Sequence, residues 1–153
     1  MEKTNALRLL ISNNIQFNVH EYDENETDGC KVAHLLSLSE DEVFKTLVTV
    51  SNNNQHFVFV IPVNAKLDLK KAAKAVNVKS IEMIKQKELY PLTGYIHGGC
   101  SPIGMKKKFV TVINDTAQLF DRIYVSAGKV GMNIDINPFE LLDFVDGKFV
   151  DII

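Results

Sequence analysis

Residues 43–63, VFKTLVTVSNNNQHFVFVIPV, decide the fold of this chain. Residues 43–50 and 56–63 are rich in β-branched and aromatic residues, which favour strands. The polar segment SNNNQ between them has the composition of a hairpin turn. The sequence therefore predicts two antiparallel strands joined at residues 51–55, and the rest of the chain is interpreted around this hairpin.

The segments around the hairpin mix helical and strand patterns. Apolar residues at helical spacing predict helices near residues 4–13, 30–36, 69–76, 82–89 and 138–145. Short β-rich segments predict strands at residues 16–22, 93–98, 109–113, 123–126 and 133–136, with 149–150 as a further candidate. Because the order lacks regular βαβ alternation, we expect an α+β fold. It would be a mixed, largely antiparallel curled sheet or barrel of six to seven strands with surrounding helices.

Length and composition are those of an ordinary soluble domain. The chain has 153 residues, 46% of them hydrophobic and 24% charged, which favours a single domain over residues 1–153. No apolar run reaches the ~18 residues of a membrane helix, and the N-terminus lacks the order of a signal peptide. We therefore expect a cytoplasmic protein without membrane association, in which Cys30 and Cys100 are free thiols.

A metal site is an alternative use of the two cysteines. Cys30 and His34 could share a helix face, and His97 with Cys100 could add two more ligands. No close CxxC pair supports this arrangement. The sequence is therefore interpreted without a metal and without a cofactor.

Positive charge is concentrated in the middle of the chain. Residues 66–108 hold ten lysines against three acidic side chains, although the whole chain has a net charge of −2. A lysine-rich segment is either an ordinary solvated surface or a side that faces phosphates. Charge alone favours neither interpretation over the other.

Lys45 is the first candidate for chemistry. It lies at the start of a predicted apolar strand and is the only charged residue between Glu42 and Lys66. A lysine in this position either extends its ammonium to solvent or is placed to bind an anion.

The second candidate is the stretch GYIHGGCSPIGMKKK, residues 94–108. Four of the eight glycines lie within residues 94–104, and three lysines follow directly. Gly98 and Gly99, followed by Ser101 and Pro102, could present backbone N–H groups along a rigid rim that binds an oxyanion or a carboxylate. A tight turn is the simpler alternative.

Nucleophilic catalysis by the protein has little support. The chain contains no P-loop and no G-x-S-x-G elbow, and none of its four histidines is in a diagnostic setting. The residues alone therefore indicate a compact domain that has a basic segment, a glycine-rich loop and a lysine at the start of a strand.

Four segments in register resemble the YbaK/EbsC family, the single-domain relatives of the editing domain of bacterial prolyl-tRNA synthetase. The segments are residues 43–47, VFKTL; 67–71, LDLKK; 93–104, TGYIHGGCSPIG, with its lysines; and 124–131, YVSAGKVG. Their order and spacing match over nearly the whole chain. Within the family, the pattern TGY followed by GG-x-SP-x-G-x-KK looks most like the YbaK branch, which deacylates cysteinyl-tRNA(Pro).

The resemblance implies a set of site residues. Lys45 matches the lysine that holds the phosphate at the 3′ end of the tRNA. Residues 98–102 match a GxxxP loop whose backbone frames the aminoacyl group, which makes Gly98 and Gly99 candidates for catalysis and Ser101 and Pro102 candidates for substrate binding. Positions that line the same pocket match Tyr22, Ser126 and Asn133. Relatives near this branch often carry an acidic residue where this chain has Asn133, so no charge-based role is implied there.

The resemblance also implies a reaction and partners. In the YbaK branch the cysteinyl thiol of the substrate is thought to attack its own ester and leave as a thiolactone, so no protein nucleophile is needed. The partners would be the acceptor end of tRNA(Pro) and prolyl-tRNA synthetase. Two alternatives stay open, namely another small aminoacyl-tRNA such as alanyl-tRNA(Pro), and a module that binds the synthetase or tRNA without catalysis.

Overall fold

The structure, a computed structural model, describes residues 3–153. Within them the chain forms five α-helices and eight strands. The helices are α1 (Asn5–Ser12), α2 (Gly29–Leu35), α3 (Leu69–Ala75), α4 (Gln86–Thr93) and α5 (Pro138–Phe144), with a 3-10 helix at Asp115–Leu119. The strands are β1 (Asn18–Glu21), β2 (Phe44–Ser51), β3 (His56–Pro62), β4 (Ile81–Met83), β5 (Val110–Asn114), β6 (Ile123–Lys129), β7 (Met132–Ile136) and β8 (Lys148–Val150).

The strands form two sheets that meet at one corner. The three-stranded sheet has the order β1-β7-β6 and is antiparallel; the five-stranded sheet has the order β4-β2-β3-β5-β8 and is mixed, because β3, β5 and β8 run parallel. An isolated parallel bridge joins Val43 to Tyr124, and the N–H of Tyr124 donates to the carbonyl of Glu42 at 2.9 Å. The predicted α+β class is confirmed. In the described residues, the predicted curled sheet consists of two sheets that are joined at this corner.

The predicted hairpin is confirmed as the centre of the larger sheet. Strands β2 and β3 pair antiparallel from Phe44↔Pro62 to Val50↔His56. The two faces of β3 pack into different clusters. Val58 and Val60 belong to the main core, whereas Phe57, Phe59 and Ile61 pack with α3. A strand buried on both faces does not need alternating polar residues, which explains the continuous apolar run.

The main core lies between the two sheets and is closed by α1. Ala6, Leu7 and Leu10 of α1 are completely buried there, as the helical spacing predicts. The side chain of Thr4 caps the helix by accepting from the N–H of Leu7. The core also takes in Cys100 from the glycine-rich stretch. That stretch is therefore anchored in the body of the protein.

Two predictions between residues 82 and 98 differ from the structure. The predicted helix at 82–89 begins later, as α4 at Gln86–Thr93, and continues through Pro91, whereas residues 82 and 83 belong to strand β4. The edge of β2 decides this, because Ile81 and Met83 pair with it. The predicted strand at 93–98 is an irregular loop, since Gly94 ends α4 in a left-handed conformation with φ +83°.

Buried Asp135 holds the three-stranded sheet together. Its side chain is only 7% exposed and lies 2.6 Å from Nε2 of His20 and 2.8 Å from Nε of Arg122. The amide of Asn18 donates to the same carboxylate at 3.1 Å. Burial alone would raise the pKa of the Asp135 carboxyl, but hydrogen bonds from His20, Arg122 and Asn18 outweigh burial and hold the pKa below its usual value.

Replacing Asp135 with Asn should therefore destabilise the protein in a pH-dependent manner. At neutral pH we expect Asp135→Asn to lower the free energy of unfolding by about 1.5–3 kcal/mol, the range for hydrogen bonds to a charged group. Since the folded-state pKa is lowered, the carboxylate contributes stability above its unfolded pKa of about 3.9. This contribution is lost as the pH falls through the folded-state value. Urea unfolding of the wild type and of Asp135→Asn, at neutral and at acidic pH, measures the difference in their free energies of unfolding. An equal difference at both pH values would contradict a stabilising role for the charged carboxylate of Asp135.

Candidate functional site

A small cleft opens at the corner where the two sheets meet. It encloses about 160 Å³, a volume close to that of an engineered cavity, about 150 Å³, that binds benzene. Its wall comes from the end of β1, from α2, β2, α4 and the two strands β6 and β7, and from the glycine-rich loop. The lining residues used below are Tyr22, Lys45, Thr46, Gly98, Cys100, Ser126 and Asn133.

Lys45 contributes a positive charge to this cleft. It pairs with Ile61 in the β2–β3 ladder and is half-buried. Within residues 3–153 its ammonium has neither a carboxylate within 4.0 Å nor a hydrogen-bond acceptor. Of the two sequence interpretations, an unpaired ammonium in a cleft wall favours anion binding over extension to bulk solvent.

Thr46 is a cleft residue that sequence reasoning missed. Its side-chain oxygen is buried, and no described group forms a hydrogen bond with it. Buried hydroxyls are normally satisfied, so an unpaired one in a cleft wall is a candidate for a ligand contact. No sequence signal marks it, since a threonine in a β-rich segment is ordinary.

The opposite wall is polar and comes from the three-stranded sheet. The backbone of Tyr22 extends β1 by donating to the carbonyl of Gly131 at 2.9 Å. The Tyr22 hydroxyl lies 3.5 Å from Oδ1 of Asn133, and Asn133 is paired across the strands with Ser126. Burial raises the pKa of Tyr22 above its usual value, so its hydroxyl stays protonated and can donate at neutral pH.

Gly98 brings the glycine-rich loop to the cleft. Its φ is +86°, and a Cβ placed on it would lie 2.7 Å from a methyl carbon of Thr27. Only glycine adopts this conformation against such a close neighbour without strain. The N–H of Gly98 has no acceptor among the described residues. It is therefore a candidate donor to a ligand in the cleft.

Three other residues of the predicted loop, Gly99, Ser101 and Pro102, do not line the cleft. The N–H of Gly99 donates to the carbonyl of Ile96, and a Cβ on Gly99 would lie 2.8 Å from the backbone nitrogen of Val130. Ser101 is buried and accepts from the N–H of Ile103. Pro102 lines a separate cavity near Phe109. These three residues shape the loop, and the cleft is reached through Gly98 and Cys100 instead.

The apolar part of the cleft also escaped the sequence reasoning. It is lined by side chains that are distant in sequence, namely Val32, Val43, Phe44, Leu47, Val63 and Leu89. Within its own segment of the sequence, each of these residues has the pattern of an ordinary core residue. Only the packing of α2 and α4 against β2 and β3 makes them a shared surface.

The residues of the alternative metal site, His34 and Cys30 among them, contact other groups in the structure. Nε2 of His34 lies 2.8 Å from Glu40, and Sγ of Cys30 is 3.5 Å from the carbonyl of Val63. In the part of the chain that the structure describes, no three His, Cys, Asp or Glu side chains are grouped to hold a metal ion. No helix there is long and apolar enough to cross a membrane.

The fold and the cleft define an aminoacyl-tRNA editing domain. The model of the aminoacyl-tRNA editing domain family matches residues 24–144, and the chain belongs to this family. The resemblance to the YbaK/EbsC type is thereby confirmed. The match includes β2 with Lys45, the glycine-rich loop and the β6–β7 hairpin.

Two curated proteins are similar in sequence. EbsC of Enterococcus faecalis, provisionally named a Cys-tRNA(Pro)/Cys-tRNA(Cys) deacylase, is 44% identical over 99% of this chain and 93% of its own length. A proline–tRNA ligase of Pelobacter propionicus is 26% identical over 79% of this chain but only 21% of its own length. This chain thus spans only about a fifth of the length of that ligase.

Two solved structures share the fold. The hypothetical protein APE2540 superposes with a TM-score of 0.90 over 97% of this chain and 99% of its own, at 20% identity. A structure provisionally described as a trans-editing enzyme for prolyl-tRNA synthetase gives a TM-score of 0.87 over 99% and 98%, also at 20% identity. At this identity the likeness concerns the fold alone.

Cys100 should be chemically inert although it lines the cleft. Burial raises the pKa of its thiol to about 12, with a hydrogen bond from Thr93 acting in the other direction. Since the thiolate is the reactive form, we expect Cys100 in a Cys30→Ala variant to react with a disulfide reagent at least about a hundredfold more slowly than free cysteine.

Thiol labelling of native and unfolded protein measures this difference. The matched Cys100→Ala variant reports on Cys30, which is partly exposed. Rapid labelling of Cys100 in the native protein would show that the thiol is accessible and ionised, contrary to the structure.

Proposed function

We propose that this protein is a trans-editing deacylase that cleaves the ester bond of cysteinyl-tRNA(Pro). The observation that carries the proposal is the unpaired ammonium of Lys45 in the wall of a small cleft. Family membership and the 44% identity to EbsC support this substrate class.

Lys45 would bind the phosphate next to the terminal adenosine. An aminoacyl-tRNA places a phosphodiester within a few bonds of the ester, so a cation in the cleft wall can orient the ester carbonyl. Binding an anion also satisfies an ammonium that has no described carboxylate partner. Proximity and orientation of this kind can contribute about 7–11 kcal/mol.

Two donors in the cleft would stabilise the oxyanion of the reaction. One is the N–H of Gly98, which has no acceptor among the described residues, and the other is the protonated hydroxyl of Tyr22. A well-placed donor contributes roughly 2.7–4 kcal/mol to catalysis. This accounts for the role of the glycine loop without requiring Ser101 or Pro102 in the cleft.

The nucleophile would come from the substrate. The cysteinyl sulfur attacks its own carbonyl carbon, the ester C–O bond breaks, and the terminal ribose hydroxyl leaves with a proton as a cysteine thiolactone forms. Water then opens the thiolactone to free cysteine. Cys100 cannot substitute for the substrate thiol, because its pKa of about 12 keeps it protonated.

The size and polarity of the cleft favour a small aminoacyl group. A small amino acid is hard for a synthetase to exclude, since removing one methylene from a hydrophobic contact changes binding by only about 1–3 kcal/mol. Asn133, whose Oδ1 lies 3.5 Å from the Tyr22 hydroxyl, is neutral where relatives often carry an acidic residue. Because this difference could change the selectivity of the cleft, alanyl-tRNA(Pro) is the alternative substrate.

Selection of the tRNA would come from a complex with prolyl-tRNA synthetase. In the ligase of Pelobacter propionicus the similar region is only 21% of the protein, so most of that chain lies outside it. A separate editing domain of 153 residues has little surface for reading a whole tRNA. The ten lysines of residues 66–108 would add affinity for phosphates that weakens with salt.

Replacing Lys45 with Ala should abolish deacylation without unfolding the protein. We expect kcat/KM for cysteinyl-tRNA(Pro) to fall by at least about a hundredfold, because the phosphate loses its cation. The matched control is Lys66→Ala, which removes an equal charge from an exposed position outside the cleft. Release of the amino acid from purified cysteinyl-tRNA(Pro) is the measurement, and circular dichroism verifies the fold. Normal turnover of cysteinyl-tRNA(Pro) by folded Lys45→Ala protein would contradict the proposal.

Blocking the substrate thiol separates the possible mechanisms. If the thiol is the nucleophile, S-methylation of the cysteinyl group should stop ester cleavage, whereas hydrolysis by water should continue. Alanyl-tRNA(Pro), which has no thiol, is assayed in parallel. Cleavage of the alanyl and S-methyl esters at the cysteinyl rate would rule out substrate assistance and reassign the substrate. Tight binding without any change in ester half-life would instead indicate a non-catalytic module.

A further inference from the structure

An exposed aromatic ring on α4 has the ammonium of a lysine over it. The side chain of Tyr90, near the end of α4, is 57% exposed. The ammonium of Lys106 lies 4.6 Å from the centroid of the Tyr90 ring. A solitary exposed tyrosine needs no explanation, but this ring is combined with a cation from a separate loop.

The backbone holds Lys106 in place across the end of α4. Its N–H donates to the carbonyl of Thr93 at 3.0 Å. Its aliphatic stem passes over Gly94, where a Cβ would lie 3.3 Å from the Cγ and Cε atoms of Lys106. A side chain at residue 94 would therefore crowd the stem. The absence of a Cβ there allows the ammonium to lie over the ring.

The segments that carry Tyr90 and Lys106 are rich in exposed lysines. Lys85, Lys87 and Lys107 are exposed, and within residues 3–153 no carboxylate lies within 4.0 Å of their ammonium groups or that of Lys106. Glu88 is the one acidic residue within α4. Such a surface is complementary to a polyanion and unsuited to a basic or purely apolar partner.

The same helix and loop also form part of the cleft. Leu89, the residue before Tyr90, lines the cleft, as do His97 and Gly98, which follow Gly94 by three and four residues. Tyr90 and Lys106 thus belong to the same helix and loop that contribute residues to the cleft wall.

We propose that Tyr90 and Lys106 form a stacking platform for an unpaired base of RNA. The base would lie on the exposed part of the Tyr90 ring, and Lys106 would contact a phosphate of the same strand. Aromatic rings combined with cations are the general means by which proteins bind single-stranded nucleic acid. The identity of that strand as the unpaired 3′ end of a tRNA rests on the proposed function.

Binding of a fluorescent RNA tests the platform without requiring catalysis. The probe is a six-nucleotide single-stranded RNA with 2-aminopurine next to its 3′-terminal adenosine, and stacking on the tyrosine should quench its fluorescence. Removing one base–aromatic stacking contact commonly weakens binding by about tenfold. We therefore expect Tyr90→Ala to bind the probe about tenfold more weakly and to lose the quenching, whereas Tyr90→Phe keeps both.

Matched lysine variants separate the platform from general charge. Lys106→Met keeps the aliphatic stem but removes the ammonium, and Lys66→Met removes a charge at a distant point of the sequence. Lys106→Met should lower the slope of binding against salt by about one phosphate contact, whereas Lys66→Met, at which no RNA contact is proposed, should leave the slope near the wild-type value. Only Lys106→Met should also reduce the quenching.

The outcomes distinguish this inference from the proposed function. Quenching that depends on Tyr90 supports the platform even if the wild-type protein cleaves no ester. If Tyr90→Ala matches the wild type in both RNA affinity and quenching, the platform is overturned, whether or not deacylation is observed. In an active enzyme, Tyr90→Ala should raise KM for aminoacyl-tRNA about tenfold but leave cleavage of aminoacyl-adenosine, which lacks the stacked nucleotide, unchanged. An equal change with both substrates would also overturn it.

Discussion

Burial of β3 on both faces is the constraint on which the rest of the structure depends. Val58 and Val60 pack into the main core, whereas Phe57, Phe59 and Ile61 pack with α3. Exposing either face would cost about 25 cal/mol for each Å² of apolar surface. The register of β2 against β3 cannot slip by one residue without moving every side chain to the other face. This register fixes Lys45 opposite Ile61 and thereby sets the position of the cation.

The cleft lies at the corner where the two sheets meet. Val43 and Tyr124 join the sheets, and the polar side chains of Ser126 and Asn133 lie on strands β6 and β7 beyond that junction. The Asp135 cluster fastens β1 to the same sheet and keeps Tyr22 near Asn133. The fold thus places a cation from one sheet opposite neutral donors from the other, with apolar side chains between them.

This arrangement is better suited to orienting a substrate than to attacking one. Cys100 lines the cleft, but its raised pKa removes it as a nucleophile. Among the described residues, the cleft offers an ammonium without a carboxylate partner, an N–H without an acceptor and a protonated phenol. Such groups act because they are already oriented before the reaction begins. Electrostatic catalysis owes most of its effect to this preorganisation. The Tyr90 platform would extend the same principle outward, by holding the strand that carries the reacting ester.

The sequence by itself determined the hairpin, the helices α1 and α3 and the α+β class, because each depends on local pattern. A role for Lys45 in binding phosphate stays a prediction from the family resemblance. Tertiary structure alone decided the elements at residues 81–98, where pairing of Ile81 and Met83 with the edge of β2 overrode a helical pattern. It also decided which loop residues reach the cleft. Gly99 is pressed against the backbone at Val130, so Ser101 and Pro102 turn away while Gly98 stays in the cleft wall. The sequence does not show that the Thr46 hydroxyl lacks a partner among the described residues. Nor does it show that Val32, Val63 and Leu89 share a surface with residues 43–47, since such a surface forms only when segments distant in sequence are packed together.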